Sequence, residues 1–389
     1  MTSENIFDFS DISPIEDADF HNCMVRMVAE PGFKHAVEFS IPGVNYDEFS
    51  QMLLTIPDKK TFQEGVMRNF MLGLMKKTMS GLTASGVDTL AENGDFTFIS
   101  NHRDIVLDAS LLNMCLFDAN RRTAEVAIGS NLLIYDWLDT IVRMNKCFIV
   151  KRGMKPLEAL NAAKQLSAYI YYAINEKHES VWIAQREGRA KDSSDHTQES
   201  LIKMLSLEGG QSARDNLALK NIAPVSIAYE YDPCDYLKAR EFMLKRRDPE
   251  YKKTQRDDLF SMETGLLQFK GKVHFSFTPC LTEQIKALPD NLDRNSVIRS
   301  VCALIDKAIH LNYKIFNVNY IAYDLLYKTG EFASKYTDAE RDAFIAYVNK
   351  QLDKVDVPDV SAEEREYMFE MVLTMYSNPL KNKMLASQE

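Results

Sequence analysis

The stretch FTFISNHRDIVLD, residues 96–108, sets an apolar run directly before a polar turn that contains one histidine. The run at 96–100 is predicted to be a buried strand, and the apolar residues after the turn, Leu111 and Leu112, predict a helix. In open α/β sheets, ligands bind at the carboxyl ends of the strands. The segment therefore predicts a strand that ends beside a binding site, with His102 at its tip.

Strands and helices alternate after this segment. Short apolar runs predict further strands, a helix is predicted at about 155–176, and a β-like segment follows at 272–277. The predicted strands after the first lie at 125–128, 147–151, 181–185 and 223–229. This alternation is typical of a mainly parallel sheet flanked by helices. We therefore predict an α/β fold.

The two ends of the chain have a helical pattern. Apolar residues recur at helical spacing through residues 61–82, and two capping-box pairs near the C-terminus predict helix starts: Thr337 with Glu340, and Ser361 with Glu364. A chain of 389 residues is too long for one compact core. We expect a helical N-terminal region at 1–90, a central α/β domain at 91–285 and a helical C-terminal region at 286–389.

Composition narrows the function classes. The chain is 46% hydrophobic and 26% charged, with a formal net charge of −10, which argues against a broad nucleic-acid surface and against non-specific docking to anionic lipid. The cysteines have neither metal nor redox spacing, and we find no secretion signal, no membrane-spanning stretch and no nucleotide-binding motif. We expect a cytoplasmic protein without a metal or a cofactor. A local positive pocket for a small anion is compatible with this composition.

The histidine turn admits several interpretations. A neutral imidazole that is oriented by a carboxylate, here Asp104 or Asp108, can take a proton from a hydroxyl near neutral pH. A surface histidine in a polar loop explains this segment equally well. His102-Arg103-Asp104 also matches the start of a protein-kinase catalytic loop. Ala109 stands where that loop needs asparagine, and the upstream Gly-rich loop and Val-Ala-Ile-Lys strand are missing, which argues against a kinase.

Three later blocks also place charged residues after strands. They are CFIVKR at 147–152, WIAQREGRAK at 182–191 and APVSIAYEY at 223–231. A pair of cations at one strand end is more often solvated than functional. Parallel strands, however, bring their carboxyl ends to the same edge, so the blocks together predict one cationic site.

In order and spacing, the four blocks resemble those of the glycerol-3-phosphate and 1-acylglycerol-3-phosphate acyltransferase family. That family has a His, four residues and an Asp, then Phe-Ile-x-Arg, Glu-Gly-x-Arg and a Val-Pro-Val-like block. The resemblance covers about 96–231, and 271–277 resembles the strand that often closes the domain. One departure is that five residues separate His102 from Asp108. Either Asp108 keeps the role of partner to His102 or Asp104 takes it, and the apolar residues after Asp108 favour Asp108.

The resemblance implies direct acyl transfer from a thioester, with His102 as the general base and no acyl-enzyme. It implies that a group of residues binds the acceptor phosphate and shapes the turn beside it: Arg103, Lys151, Arg152, Glu187, Gly188, Arg189 and Lys191. The expected donor is acyl carrier protein or acyl-coenzyme A, and the expected acceptor is glycerol 3-phosphate. Lysophosphatidate or another lyso-lipid is the alternative acceptor, with peripheral contact at the inner face of a membrane left open. A non-catalytic lipid- or acyl-binding protein is the alternative of another class.

A basic segment at 238–256 offers a partner surface. It contains eight basic and three acidic residues in an otherwise acidic chain. It could dock an acidic carrier protein or lipid headgroups. A solvated helix face is the simpler interpretation and is favoured.

Overall fold

A seven-stranded sheet forms the centre of the computed structural model, which describes residues 7–388. The strand order is β1-β7-β6-β2-β5-β3-β4. The pair of β6 and β7 is antiparallel, and all the other strand pairs in this sheet are parallel. The predicted fold, a mainly parallel sheet with flanking helices, is thereby confirmed. The strands are β1 (Gly81–Ser85), β2 (Thr97–Ser100), β3 (Glu125–Gly129), β4 (Cys147–Val150), β5 (Val181–Ala184), β6 (Ile222–Tyr229) and β7 (Lys272–Phe277).

Helices cover both faces of the sheet and extend before and after it. They are α1 (Asp17–Val28), α2 (Pro31–Ser40), α3 (Tyr46–Leu54), α4 (Lys59–Phe62), α5 (Arg68–Thr78), α6 (Leu107–Asp118), α7 (Asp136–Met144), α8 (Pro156–Asn175), α9 (Glu199–Leu205), α10 (Ala213–Ala218), α11 (Asp235–Arg247), α12 (Gln255–Leu267), α13 (Thr282–Lys286), α14 (Arg294–Leu311), α15 (Asn317–Tyr327), α16 (Asp338–Leu352) and α17 (Ala362–Ala386). Capping boxes begin α16 at Thr337 and α17 at Ser361, as predicted. Within residues 7–388 we find no helix with the length and apolar character needed to cross a membrane.

Alternate residues of the central strands supply two cores. Ile99 of β2 packs with Ile183 of β5 and Ile170 of α8 on one face. Phe98 of β2 packs with Trp182 of β5 on the other face. Successive side chains of a strand point to opposite faces, so these buried strands need apolar residues at nearly every position. This requirement explains why their short apolar runs were visible in the sequence.

The predicted helix at 61–82 is only partly correct. A π-helical turn occupies Gln63–Met67, α5 ends at Thr78, and Met79 is already extended. Residues 81–85 form β1, which pairs in parallel with β7. The reason is tertiary, since hydrogen bonds to β7 decide the conformation of this exposed segment. The region 1–90 therefore contributes a strand to the sheet.

The C-terminal helices form a separate cluster against the β6 side of the sheet. Phe344 of α16 and Met368 and Tyr376 of α17 pack with Ala228 of β6. The predicted division at 90 and 285 stays a prediction. Residues 1–6 of its first region and residue 389 of its last lie outside the described residues.

Candidate active site

The turn after β2 is fixed to its neighbour before it reaches the histidine. Asn101 is fully buried and exchanges two hydrogen bonds with Ile227 of β6: its Nδ2 donates to the Ile227 carbonyl at 2.9 Å, and its Oδ1 accepts from the Ile227 N–H at 2.8 Å. A paired amide of this kind holds one backbone position. His102, the next residue, therefore leaves the sheet at a defined point.

His102 is hydrogen-bonded to Asp108. Its Nδ1 lies 2.8 Å from Oδ2 of Asp108, which is fully buried at the start of α6. The same oxygen accepts the backbone N–H groups of Arg103 at 2.6 Å and Asp104 at 3.0 Å, and Oδ1 accepts the Tyr229 hydroxyl at 3.1 Å. Because the carboxylate accepts from Nδ1, the proton of a neutral ring stays there and Nε2 is left as the basic nitrogen.

Asp104 has a different role. Its Oδ1 accepts the backbone N–H groups of Val106 at 2.9 Å and Leu107 at 2.8 Å, which caps the first turn of α6. Burial raises the pKa of Asp104, and the charge of Asp108 raises it further. Of the two carboxylates that the sequence left open, Asp108 is the one bonded to His102.

Arg103 points away from the site. Its guanidinium makes two hydrogen bonds to the Asp195 carboxylate, at 2.9 and 2.6 Å, and is 6% exposed. The Tyr313 hydroxyl bonds the same carboxylate, and the Arg103 carbonyl accepts from Lys238 Nζ at 3.3 Å. We therefore correct the expectation that Arg103 binds phosphate, because its donors are committed to a buried ion pair.

A cavity of about 600 Å³ opens at the carboxyl ends of β2 to β5. Several residues that the sequence predicts for the site line this cavity. Two further cations also line it, Arg186 and Lys253. The expected residues in its lining are His102, Lys151, Arg152, Glu187, Gly188 and Arg189. Lys191 is not among them, and its ammonium pairs with Glu241 of α11.

Most cations of this cavity, which we call the cationic cavity, are neutralised by acids. Lys151 pairs with Asp11, Arg152 with Glu187 at 3.0 Å, and Lys253 with Asp258 at 2.7 Å. Arg186 and Arg189 have no acidic partner within 4.0 Å among residues 7–388, and Nε of Arg186 and Nη1 of Arg189 are buried without a hydrogen-bond partner there. Within the described part of the chain, Arg186 and Arg189 are therefore the two cations of this cavity without an acid in direct contact, although the pKa of Arg189, which burial alone would lower, is raised by nearby Cys234, Asp104 and Asp232.

The turn that carries them depends on one glycine. Gly188 has a φ of +68°, a left-handed conformation that costs glycine little. Arg189 follows Gly188 directly, whereas the family pattern has one residue between its Gly and Arg. The residue at the position of the family's arginine is Ala190, which is fully buried. The arginine in the cavity therefore comes from the position immediately after glycine.

A second cavity, of about 850 Å³, adjoins the first. Most of its surface is apolar, so we call it the apolar cavity, but charged side chains such as Lys59, Arg122 and Glu125 also line it. Met67 and Met71 line it from the N-terminal helices, and α6 and α7 contribute further apolar side chains. Several residues belong to the walls of both cavities: Ile105, Ala127, Ile128, Leu132 and Trp182. The ring centroids of Trp182 and His102 are 5.9 Å apart. The His102–Asp108 pair therefore lies close to the wall that the two cavities share.

Comparisons with known proteins include a distant structural likeness. No family model matches the chain, and no curated protein matches it. A crystal structure of the 1-acyl-sn-glycerophosphate acyltransferase of Thermotoga maritima aligns with 74% of this chain and 92% of its own, at 11% identity and a TM-score of 0.34. A likeness this slight leaves the function to be argued from the site.

The basic segment at 238–256 is not a free positive surface. Six of its eight basic residues have an acidic partner within 4.0 Å: Lys238, Arg240, Lys245, Arg246, Arg247 and Lys253. Most of the positive charge that the sequence suggested for docking is therefore neutralised by acidic side chains within the fold. Among residues 7–388 no group of three or more His, Cys, Asp or Glu side chains is arranged to hold a metal ion.

Arg186 was not predicted as a site residue, although it lies in the block at 182–191. Its position just after β5, beside the quoted Glu187-Gly188-Arg189 turn, was the available signal. Gly265 of α12 was not predicted either, and an added Cβ there would lie 1.9 Å from Asp104 Oδ2. Nothing local in the sequence marks that contact.

Proposed function

We propose that this chain is an acyltransferase that moves a fatty acyl group from a thioester to a hydroxyl of a phosphorylated acceptor, with glycerol 3-phosphate as the first candidate. The observation that carries the proposal is the buried His102–Asp108 pair beside the wall between a cationic and an apolar cavity. Such a reaction needs a base between a phosphate and an acyl chain. The order of the four sequence blocks supports the same assignment.

In the proposed reaction, Nε2 of His102 removes the proton from the acceptor hydroxyl while its oxygen attacks the thioester carbonyl carbon. The tetrahedral intermediate collapses, the carbon–sulfur bond breaks, and the imidazolium returns the proton to the departing thiolate. Asp108 keeps the ring oriented and stabilises its positive charge. The products are the ester and the free thiol, so the step balances without a cofactor.

The cavities suggest how the substrates lie. The acceptor phosphate is assigned to the cationic cavity, where guanidinium groups suit its geometry. The acyl chain is assigned to the apolar cavity, where methionines line a space of about 850 Å³. The thioester carbonyl then lies near Trp182 and His102, between the two.

A lyso-lipid is the second candidate acceptor, with one observation in its favour. Leu157 and Leu160 on the first turns of α8 are 72% and 47% exposed. They follow Arg152 and Met154, which line the cationic cavity. Exposed leucines beside the cavity suit an acceptor drawn from a membrane surface, and peripheral membrane contact stays part of the proposal.

The test is to offer purified protein acyl-coenzyme A or acyl carrier protein, with glycerol 3-phosphate or lysophosphatidate, and to measure thiol release. We expect acceptor-dependent release, and a loss of about a hundred- to ten-thousand-fold in His102→Ala. If donors bind but no acceptor supports thiol release, the result would favour a non-catalytic lipid- or acyl-binding protein. Normal turnover by a correctly folded His102→Ala protein would remove His102 as the base.

A further inference from the structure

Arg186 differs from most of the cations around it. The cationic cavity is lined by five Lys and Arg side chains, of which three have acidic partners within 4.0 Å: Lys151, Arg152 and Lys253. Arg186 and Arg189 remain without such a partner among the described residues. Arg189 stands next to the motif glycine, whereas Arg186 belongs to no residue of the family pattern.

The end of β5 directs Arg186 into the cavity. Gln185 continues the strand ladder, since its N–H donates to the Ser100 carbonyl at 2.8 Å and its own carbonyl accepts from the Gln198 N–H at 3.0 Å. Gln185 is fully buried, so Arg186 takes the opposite side. The Glu187 N–H then donates to Oε1 of Gln198 at 2.7 Å, which fixes the turn. The backbone on both sides of Arg186 is therefore held.

Each of the two arginines has one buried N–H group without an acceptor among the described residues, although Arg189 also lies beside Cys234, Asp104 and Asp232. Nε of Arg186 and Nη1 of Arg189 are buried, and neither has a hydrogen-bond partner within residues 7–388. Buried donors almost always have a hydrogen-bond partner, so two buried donors without one at the same cavity point to a ligand.

We propose that Arg186 is a second phosphate-binding residue that acts with Arg189, and that the pair selects a phosphate monoester dianion. A monoester carries close to two negative charges at neutral pH, because its second pKa is about 6. The phosphodiester of a carrier-bound pantetheine has one charge and fits the pair less well. The inference rests on the proposed function for the acceptor's identity, while anion binding itself does not depend on catalysis.

The first experiment measures binding without turnover. Calorimetric titration with glycerol 3-phosphate, with inorganic phosphate as the minimal probe, compares wild type with Arg186→Gln and Arg186→Lys. We expect a dissociation constant about ten- to a hundred-fold weaker in Arg186→Gln, from the loss of charge-assisted hydrogen bonds, and a smaller loss in Arg186→Lys. Binding by the wild type should also weaken below about pH 6, where the monoester gains a proton.

Lys253→Gln is the matched control, because Lys253 lines the same cavity but is paired with Asp258. We expect its dissociation constant to change by less than about threefold. An equal loss in Lys253→Gln and Arg186→Gln would mean that only the total charge matters, and would overturn the proposal. Unchanged binding in a folded Arg186→Gln protein would overturn it as well.

The kinetic experiment then distinguishes this proposal from the proposed function. If transfer occurs, Arg186→Gln should raise KM for the acceptor and leave KM for the acyl thioester nearly unchanged. A rise in the donor KM alone would assign Arg186 to the carrier and refute its role at the acceptor. Loss of phosphate binding with no transfer by wild type would uphold the anion site while removing the acyltransferase assignment.

Discussion

Replacing Asp108 by asparagine tests the proposed base most directly, because the change removes a charge and little else. The asparagine oxygen can still accept the N–H groups of Arg103 and Asp104, and its amide can face the Tyr229 hydroxyl. The turn should therefore keep its shape. The negative charge 2.8 Å from the His102 ring is lost.

The magnitude follows from the charge that forms during the reaction. When His102 takes the hydroxyl proton, it becomes an imidazolium beside the Asp108 carboxylate. Opposite charges about 4 Å apart interact by about 4 kcal/mol at an effective dielectric of about 20. Each 1.36 kcal/mol is a factor of ten in rate, so kcat should fall about a thousandfold.

Asp104→Asn is the matched control. The Asp104 oxygen caps Val106 and Leu107, and an asparagine oxygen can do the same. Burial disfavours the charged form of Asp104 and raises its pKa, so a neutral side chain of the same shape avoids that desolvation cost. We expect kcat to fall less than about tenfold in this variant, since no reacting group loses its partner.

The assay is thiol release at saturating donor and acceptor, with unfolding curves to show that both variants fold. The reasoning is refuted if Asp104→Asn loses more activity than Asp108→Asn, or if a folded Asp108→Asn protein keeps kcat within tenfold of wild type. Either result would make another group the partner of the base.

Three predictions concern stability. Gly265→Ala should cost about 1–3 kcal/mol of unfolding free energy, because its new Cβ would lie 1.9 Å from Asp104 Oδ2. Lys238→Met should cost about 3–5 kcal/mol by leaving the Asp232 carboxylate buried without its cation, and Asp232→Asn should restore part of that loss. Burial raises the pKa of Asp235 to about 7, so the folded state holds a proton that the unfolded state loses above about pH 4, and stability should fall as the pH rises towards 7. In Asp235→Asn, the decrease in unfolding free energy between about pH 4 and 7 should be smaller than in wild type by up to about 4 kcal/mol.

Urea denaturation measures all three, and each has its own control. Gly73→Ala in α5 meets no atom within 4 Å and should be neutral or stabilising, in contrast to Gly265→Ala. A Lys238→Met protein as stable as wild type would contradict the ion-pair argument. If wild type and Asp235→Asn show parallel stability curves from pH 4 to 7, Asp235 does not hold the proton.

The sequence predicted what depends on local pattern. Buried parallel strands such as Thr97–Ser100 and Val181–Ala184 need continuous apolar runs, so they were found with nearly correct bounds. The strand Gly81–Ser85 was missed because it is largely exposed at the sheet edge and pairs with β7, which lies far along the chain. Only long-range pairing distinguishes this segment from the end of a helix.

Charge pairing was the part of the site that the sequence could not supply. Arg103 and Lys151 stand beside predicted strand ends, yet their partners Asp195 and Asp11 lie 92 and 140 residues away. Lys191 pairs with Glu241, 50 residues away. Local spacing identified where cations gather, but only the fold decides which of them are neutralised and which can serve a ligand.

This selection among cations limits the acceptors that the proposed site can use. If the phosphate lies between Arg186 and Arg189 while the hydroxyl meets Nε2 of His102, the reacting oxygen must be within a few bonds of a terminal phosphate. Glycerol 3-phosphate and lysophosphatidate both meet that condition. A lyso-lipid whose phosphate is esterified to a headgroup has only one negative charge, and its headgroup would compete for the same space. We therefore expect lysophosphatidylcholine to be a much poorer acceptor than lysophosphatidate in the thiol-release assay, and comparable rates with the two would mean that the arginines do not read the charge of the phosphate.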